Sequence, residues 1–150
     1  MNKWHKRFME MTELVATWSS CVRRQVGAII VRDKRIMTTG YNGAPAGVKT
    51  CVEKGECLRI KLGIPSGTHA ETCFATHAEQ NAIIQAGQDR CIGATMYIWG
   101  HNFICILCKR FIVQAGIKDV YLKKDEDSDI VHVSVEDIKR ELEESAVCIN

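Results

Sequence analysis

Eight cysteines among 150 residues constrain this chain more than any other feature. A short chain so rich in thiols is held either by disulfides or by metal, and the compartment decides which. Residues 1–10, MNKWHKRFME, mix basic groups and an acid among the apolar residues. They contain no apolar h-region and no small-residue cleavage site, so they do not read as a signal peptide. The longest uninterrupted apolar run is about six residues, against the roughly twenty that span a bilayer. The expectation is a cytoplasmic chain without membrane contact, where cysteines serve metal ligation or catalysis. An apolar content of 46% with 25% charged residues argues against disorder. The length predicts one domain over residues 1–150. A net charge of +2 is too small for a sequence-independent grip on nucleic acid.

Hydrophobic spacing orders the elements. Trp4, Phe8, Met11, Leu14, Val15 and Trp18 recur at three- and four-residue intervals, which predicts an amphipathic helix over 4–18. QVGAIIV over 25–31 reads as a strand, Asp33-Lys34 as a tight turn, and 35–39 as the return strand of a hairpin. Three glycines and a proline between Gly40 and Gly47 then turn the chain. From Val48 to Thr72 no clear period emerges, beyond a possible short helix over 57–62. So long an irregular stretch is usually functional or held by something, and Cys51, Cys57 and Cys73 lie in it or beside it. Helices follow over 75–86 and 106–115, each ended by a glycine, with strands over 94–99 and 118–122. A charged loop over 123–129 leads to a short edge strand over 131–133 and a terminal helix over 134–144, opened by Ser134 and Asp137. The alternation predicts an α/β protein, one sheet covered by helices.

Two local patterns carry chemistry. His77-Ala78-Glu79 begins one helix, and Cys105-Ile106-Leu107-Cys108 begins the next. A three-residue separation sets both thiols on one face of a helical turn, and the helix N-terminus favours them as thiolates. With the His77 imidazole they make three ligands, the number that leaves a catalytic zinc one position open for water. Glu79 then stands beside that water, placed to take a proton from it and pass it to a substrate nitrogen. A redox role for the Cys105–Cys108 pair is the alternative, but it leaves His77 and Glu79 without a task.

A His-x-Glu followed by a Cys-x-x-Cys resembles the signature of zinc-dependent nucleobase deaminases. More narrowly, the chain resembles the deoxycytidylate (dCMP) deaminases. The likeness rests on CVRRQVGAIIVRDKRIMTTGYNGAPAG over 21–47, CLRIKLGIPSG over 57–67 and HAEQNAIIQAG over 77–87. GATMY over 93–97 and QAGIKDVYL over 114–122 extend it. The resemblance implies a cytidine-deaminase-like three-layer αβα sandwich with a mixed sheet of about five strands. It implies hydrolysis of dCMP to dUMP and ammonia, feeding thymidylate synthesis. Zinc would be bound by His77, Cys105 and Cys108, with Glu79 as proton shuttle. It places Asn42 against the sugar, with Asn81 a weaker candidate for the nucleotide pocket. It also implies a homo-oligomer, a hexamer in many members, with dCTP and dTTP as effectors.

The chain departs from the family at Ile104, where a proline usually precedes the first cysteine. The connection from Tyr97 to Cys105 also looks about two residues longer. His101 there reads as a loop or pocket residue, and Phe103 as a contact to the base or to the core. Many resembling proteins hold a second, structural zinc, which would take Cys21, Cys51, Cys57 and Cys73, or His69 in place of Cys57. Cys91 and Cys148 read as buried free thiols. Two other functions stand beside the main reading: a deaminase of another cytosine or modified-cytosine nucleotide, and a non-catalytic zinc module serving assembly.

Overall fold

A computed structural model describes residues 2–65, 68–69 and 72–145. Cys148 lies outside the described residues. The chain begins with helix α1 (Lys3–Ala16) and a hairpin of β1 (Gly27–Arg32) and β2 (Arg35–Tyr41). Short helices α2 (Cys51–Lys54) and α3 (Leu58–Lys61) follow, then α4 (Ala78–Ala86) and α5 (Gln88–Cys91). The remainder is β3 (Thr95–Trp99), α6 (Ile106–Ala115), β4 (Asp119–Lys123), β5 (Val131–Ser134) and α7 (Val135–Ser145).

The five strands form one mixed sheet in the order β2-β1-β3-β4-β5. β1 pairs antiparallel with both β2 and β3, β3 runs parallel to β4, and β5 returns antiparallel to β4. Asp33 and Lys34 both take positive φ, 53° and 60°, the backbone a two-residue hairpin turn demands. β1 is an interior strand covered on both faces, which is why its sequence is continuously apolar rather than alternating. On one face α1 packs Phe8, Met9 and Val15 against Ile29, Val31 and Tyr97. On the other, α4, α6 and α7 pack Ala82, Ile83, Ile112 and Ile138 against Ile30, Met96, Ile98 and Val120. Burying each such side chain contributes about 1.5–3 kcal/mol. The expected sandwich of helices around a five-stranded mixed sheet is thus the observed architecture.

Two glycines let helices lie directly on the hairpin. A Cβ on Gly27 would sit 2.4 Å from the Thr12 carbonyl of α1, and one on Gly40 would sit 2.4 Å from the Ala78 carbonyl of α4. Thr38 Oγ1 also donates to the Ala82 carbonyl at 2.8 Å, so α4 is bonded to β2 as well as packed on it.

Several boundaries differ from expectation for identifiable reasons. α4 starts at Ala78 rather than residue 75, because Thr76 pairs with Gly43 in a two-way bridge at 2.8 and 3.2 Å that keeps its backbone extended. α1 stops at Ala16, and Trp18 turns out to meet Tyr41 edge-on at 6.2 Å. α2, which periodicity could not reveal in four residues, is set by its ends: the Thr50 side chain accepts from Glu53 N, and Gly55 closes it with φ 73°. The terminal helix is capped as expected, Asp137 N donating to Ser134 Oγ at 3.2 Å.

Candidate metal centre and cavity

The C-terminal ends of β2 and β3 meet the N-terminal end of β1 at one edge of the sheet, where Gly27 lies opposite both Tyr41 and Trp99. The chain leaves β3 there and enters α6 after a short loop, while the Gly43–Thr76 bridge aims the entry of α4 at the same edge. His77 is the N-cap of α4 and Cys105 the N-cap of α6, so both stand where helix N-termini converge. Gln80 holds the His77 amide, its Oε1 accepting at 3.0 Å.

His77 Nδ1 lies 3.4 Å from Cys105 Sγ and 3.3 Å from Cys108 Sγ. Among the described residues these three form the one group of His, Cys, Asp or Glu ligand atoms drawn within 4.8 Å of one another. A tetrahedral zinc with sulfur at about 2.3 Å and nitrogen at about 2.0–2.1 Å sets such atoms about 3.5 Å apart. The donor set and its spacing therefore fit that ion. Cys108 is fully buried and Cys105 partly so. Hydrogen bonding from Cys108, above all, brings the Cys105 thiol down to about 4, and Cys108 is itself pushed up mainly by that same bond. The Cys105 sulfur also accepts from the Cys108 amide at 3.3 Å. The His77 imidazole is raised, chiefly by its bond to Cys105.

Glu79, in the first turn of α4, is 5% exposed and accepts from the Cys108 thiol at 3.0 Å. Burial is the main influence on its carboxyl and raises it; the bond from Cys108 and the charge of His77 oppose this. A carboxyl so raised exchanges protons closer to neutrality than an exposed one.

Glu79, His77 and Cys105 face a cavity of about 140 Å³. Asn42 lies on its wall, with both ends of its carboxamide engaged: Oδ1 accepts from Val26 N at 2.9 Å and Nδ2 donates to the Arg24 carbonyl at 2.8 Å. Asn81 is not among the lining residues; its Nδ2 donates to the Tyr41 carbonyl at 2.8 Å. His101 and Phe103 both line the cavity, whereas Ile104 is buried in the core. Sequence reasoning passed over Arg23, Arg24 and Arg59, which also line it. The adjacent arginines after Cys21 were the available signal.

Cys21, Cys57 and Cys73 reach the same cavity wall. Cys51 is raised first by burial and then by Cys21, Cys57 and Cys73, so the four thiols share one neighbourhood. Cys21 Sγ accepts from the amides of Arg23 and Arg24, each at 3.4 Å. No three of these sulfurs come within 4.8 Å of one another. His69 has positive φ, and its carbonyl accepts from Thr72 N and Oγ1. Cys91 is the buried free thiol expected.

Residues 2–124 match the family described as the cytidine and deoxycytidylate deaminase zinc-binding region. The chain belongs to this family. It is 40% identical to the deoxycytidylate deaminase of Schizosaccharomyces pombe over 117 residues, 78% of this chain but 36% of that protein's length. The deoxycytidylate deaminase of Mycobacterium phage D29 is 36% identical over 127 residues, covering 81% of this chain and 95% of the phage protein. The structure of the cyanophage S-TIM5 dCMP deaminase in complex with dCMP and dUMP superposes with a TM-score of 0.60. That chain is 30% identical to this one, and the match covers 81% of this chain and 82% of the other. The zinc-binding family and the His77–Cys105–Cys108 cluster agree. No helix among the described residues is long and apolar enough to cross a membrane.

Proposed function

We propose that this chain, acting as one deaminase domain, hydrolyses dCMP to dUMP and ammonia, with Zn2+ held by His77, Cys105 and Cys108. The observation that carries the reading is the buried Glu79 carboxyl, 3.0 Å from Cys108 and facing the same cavity as His77 and Cys105. A purely structural metal site has no use for a carboxylate there, which weighs against a non-catalytic assembly module. Bound zinc supplies Lewis acidity, activating a water for attack on C4 at neutral pH. Glu79 takes a proton from that water and delivers it to N3 of the pyrimidine, then carries the remaining proton of the hydroxyl added at C4 to the departing amine. One water is consumed and one ammonia released. Arg23, Arg24 and Arg59 on the cavity wall support an anionic substrate. Asn42 supports the sugar contact from its place on the wall, and Asn81 acts indirectly, by holding Tyr41.

A second, structural zinc belongs to the reading, with Cys21, Cys51, Cys57 and Cys73 as ligands and His69 as the replacement for Cys57. Two amides donating to Cys21 Sγ hold that sulfur at the cavity wall, beside the other thiols. Thiolate ligands also fit a reducing, cytoplasmic setting. Homo-oligomer formation, and regulation by dCTP and dTTP, follow the family resemblance. The longer loop carrying His101 and the substitution at Ile104 keep another cytosine nucleotide as the second reading.

The test is ammonia release by the zinc-loaded chain from dCMP, CMP, dCTP and deoxycytidine, with and without dCTP and dTTP as effectors. Selective turnover of dCMP is expected. Absence of turnover on all four overturns the enzymatic reading, and turnover of another member of the panel moves the substrate. Metal analysis accompanies it: two zinc per chain are expected, and one removes the structural site.

A further inference from the structure

The two helix starts that bring the metal ligands together are secured in different ways. Cys105 caps its own helix, α6: its sulfur accepts from the Cys108 amide at 3.3 Å while standing 3.4 Å from His77 Nδ1. One side chain thus serves both the helix and the cluster. His77, the N-cap of α4, has its ring nitrogen turned to the sulfurs of Cys105 and Cys108, so its main chain is fixed by other residues. Gln80 does this from within the helix. It stands three positions on, where a capping-box side chain reaches back, and its Oε1 accepts from the His77 amide at 3.0 Å. Before His77, the Thr76 amide donates to the Gly43 carbonyl at 2.8 Å, and the Thr76 carbonyl accepts from Gly43 N at 3.2 Å. His77 is therefore held from both sides in extended backbone, with φ −70° and ψ 153°. Gln80 does not line the cavity, so whatever it does there it does through His77.

We infer that Gln80 is a positioning residue for the metal site: its side chain presets the His77 backbone, so that the imidazole stands at the cluster before an ion binds. The inference rests on the assignment of zinc to His77, Cys105 and Cys108, and it adds a residue that touches neither metal nor substrate. The physical reason is entropic. A ligand on a frayed first turn must be ordered when the ion arrives, whereas one on a pinned turn is ordered by folding. The bond needs only an acceptor at the end of a long side chain, which Glu also provides. Glu79 is fixed separately by the thiol of Cys108, so loss of the Gln80 bond falls on metal affinity before it falls on proton transfer. A second tie to α4 supplies the control. Thr38 Oγ1 donates to the Ala82 carbonyl at 2.8 Å, more than a turn beyond His77, and steadies the same helix without touching its N-cap.

The experiment measures zinc affinity by chelator competition on the full chain and its Gln80→Leu, Gln80→Glu, Thr38→Val and His77→Ala variants. Urea unfolding of the metal-free forms runs beside it. His77→Ala identifies which bound zinc belongs to this cluster. Gln80→Leu should weaken that zinc about tenfold, the lower end of what losing an outer partner of a metal ligand costs. Gln80→Glu keeps the acceptor and should recover most of the loss. Thr38→Val should lose a similar amount of stability, since it also gives up one hydrogen bond to α4, yet bind zinc as the wild type does. In the metal-free chains, the His77 amide should exchange with solvent faster in Gln80→Leu than in Thr38→Val. Unchanged zinc affinity in Gln80→Leu overturns the inference. An equal loss of affinity in Thr38→Val also overturns it, because Gln80 would then stabilise α4 and nothing more. If His77→Ala leaves every bound zinc as tight as before, the metal assignment itself fails and the role of Gln80 falls with it.

Discussion

The cysteines fall into two neighbourhoods that share a residue type and little else. Cys105 and Cys108 open α6, a helix backed by the sheet, and meet His77 at the opening of α4, where Ala78, Ala82 and Ile83 are buried. From residue 44 to 76 no described side chain is buried, and there lie Cys51, Cys57 and Cys73. Hydrogen bonds to carbonyls tether that stretch: Arg23 to Ile64 at 2.9 Å, and Arg59 to Pro65 and Thr68 at 2.9 and 2.6 Å. The first ligand set is assembled by burial, so its atoms already stand at metal-binding spacing. The second segment has little apolar surface to order itself, and on the proposed reading metal does the ordering.

The largest effect should come from the chemistry of the first region. Glu79→Gln is expected to lower kcat about 10²–10⁴-fold while zinc content stays at the wild-type value. Activity within tenfold of wild type, measured by ammonia release, would take the proton-carrying role away from Glu79. Removing metal with a chelator should divide the two regions. Proteolysis inside residues 51–73 is expected to quicken by about tenfold or more, while amides of β1, β3 and β4 keep their protection from hydrogen exchange. Equal loss of protection in both would erase the contrast.

Gly40→Ala tests whether the sheet places the first site. The added Cβ would meet the Ala78 carbonyl at 2.4 Å and the Ala82 amide at 2.5 Å, pushing α4 and His77 off β2. Urea unfolding should show a loss of about 1–3 kcal/mol, together with weaker zinc binding. Normal zinc affinity in this variant would uncouple the site from the strand.

The smallest effect concerns pH. The Glu79 carboxyl lies above its ordinary 4.5 in the fold because burial disfavours its charge. The folded state therefore holds more protons than the unfolded chain once the pH passes that value, and stability falls as pH rises from there. Glu79→Gln removes the cost of that charge. Chelator-treated protein carrying it should melt about 2–4 °C higher near pH 7 and at the same temperature as the parent near pH 4. A lower melting temperature at neutral pH would mean that the bond from Cys108 outweighs desolvation.

Much of this was legible along the chain. α6 begins and ends where its periodicity and Gly116 put it, and the hairpin turn falls on Asp33-Lys34. These are local matters, decided by capping, spacing and turn geometry within a few residues. His77, Glu79, Cys105 and Cys108 were legible for the same reason, since each pair occupies one helical turn. What lay outside reach was set by long-range partners. Thr76 shortened α4 by pairing with Gly43, Arg24 reached His101 from 77 residues away, and Asn42 spent its carboxamide on the 24–26 backbone.

The sequence by itself determined the chemistry available, a nitrogen, two thiols and a carboxyl at helix starts, because ligand type and helical spacing are properties of neighbouring residues. Only the tertiary structure decided that the two helix starts meet at one sheet edge, that Glu79 is buried with a raised carboxyl, and that arginines and His101 line the cavity. Strand order and burial depend on packing between residues far apart in the chain, and that packing sets both the distances and the local dielectric on which the chemistry depends.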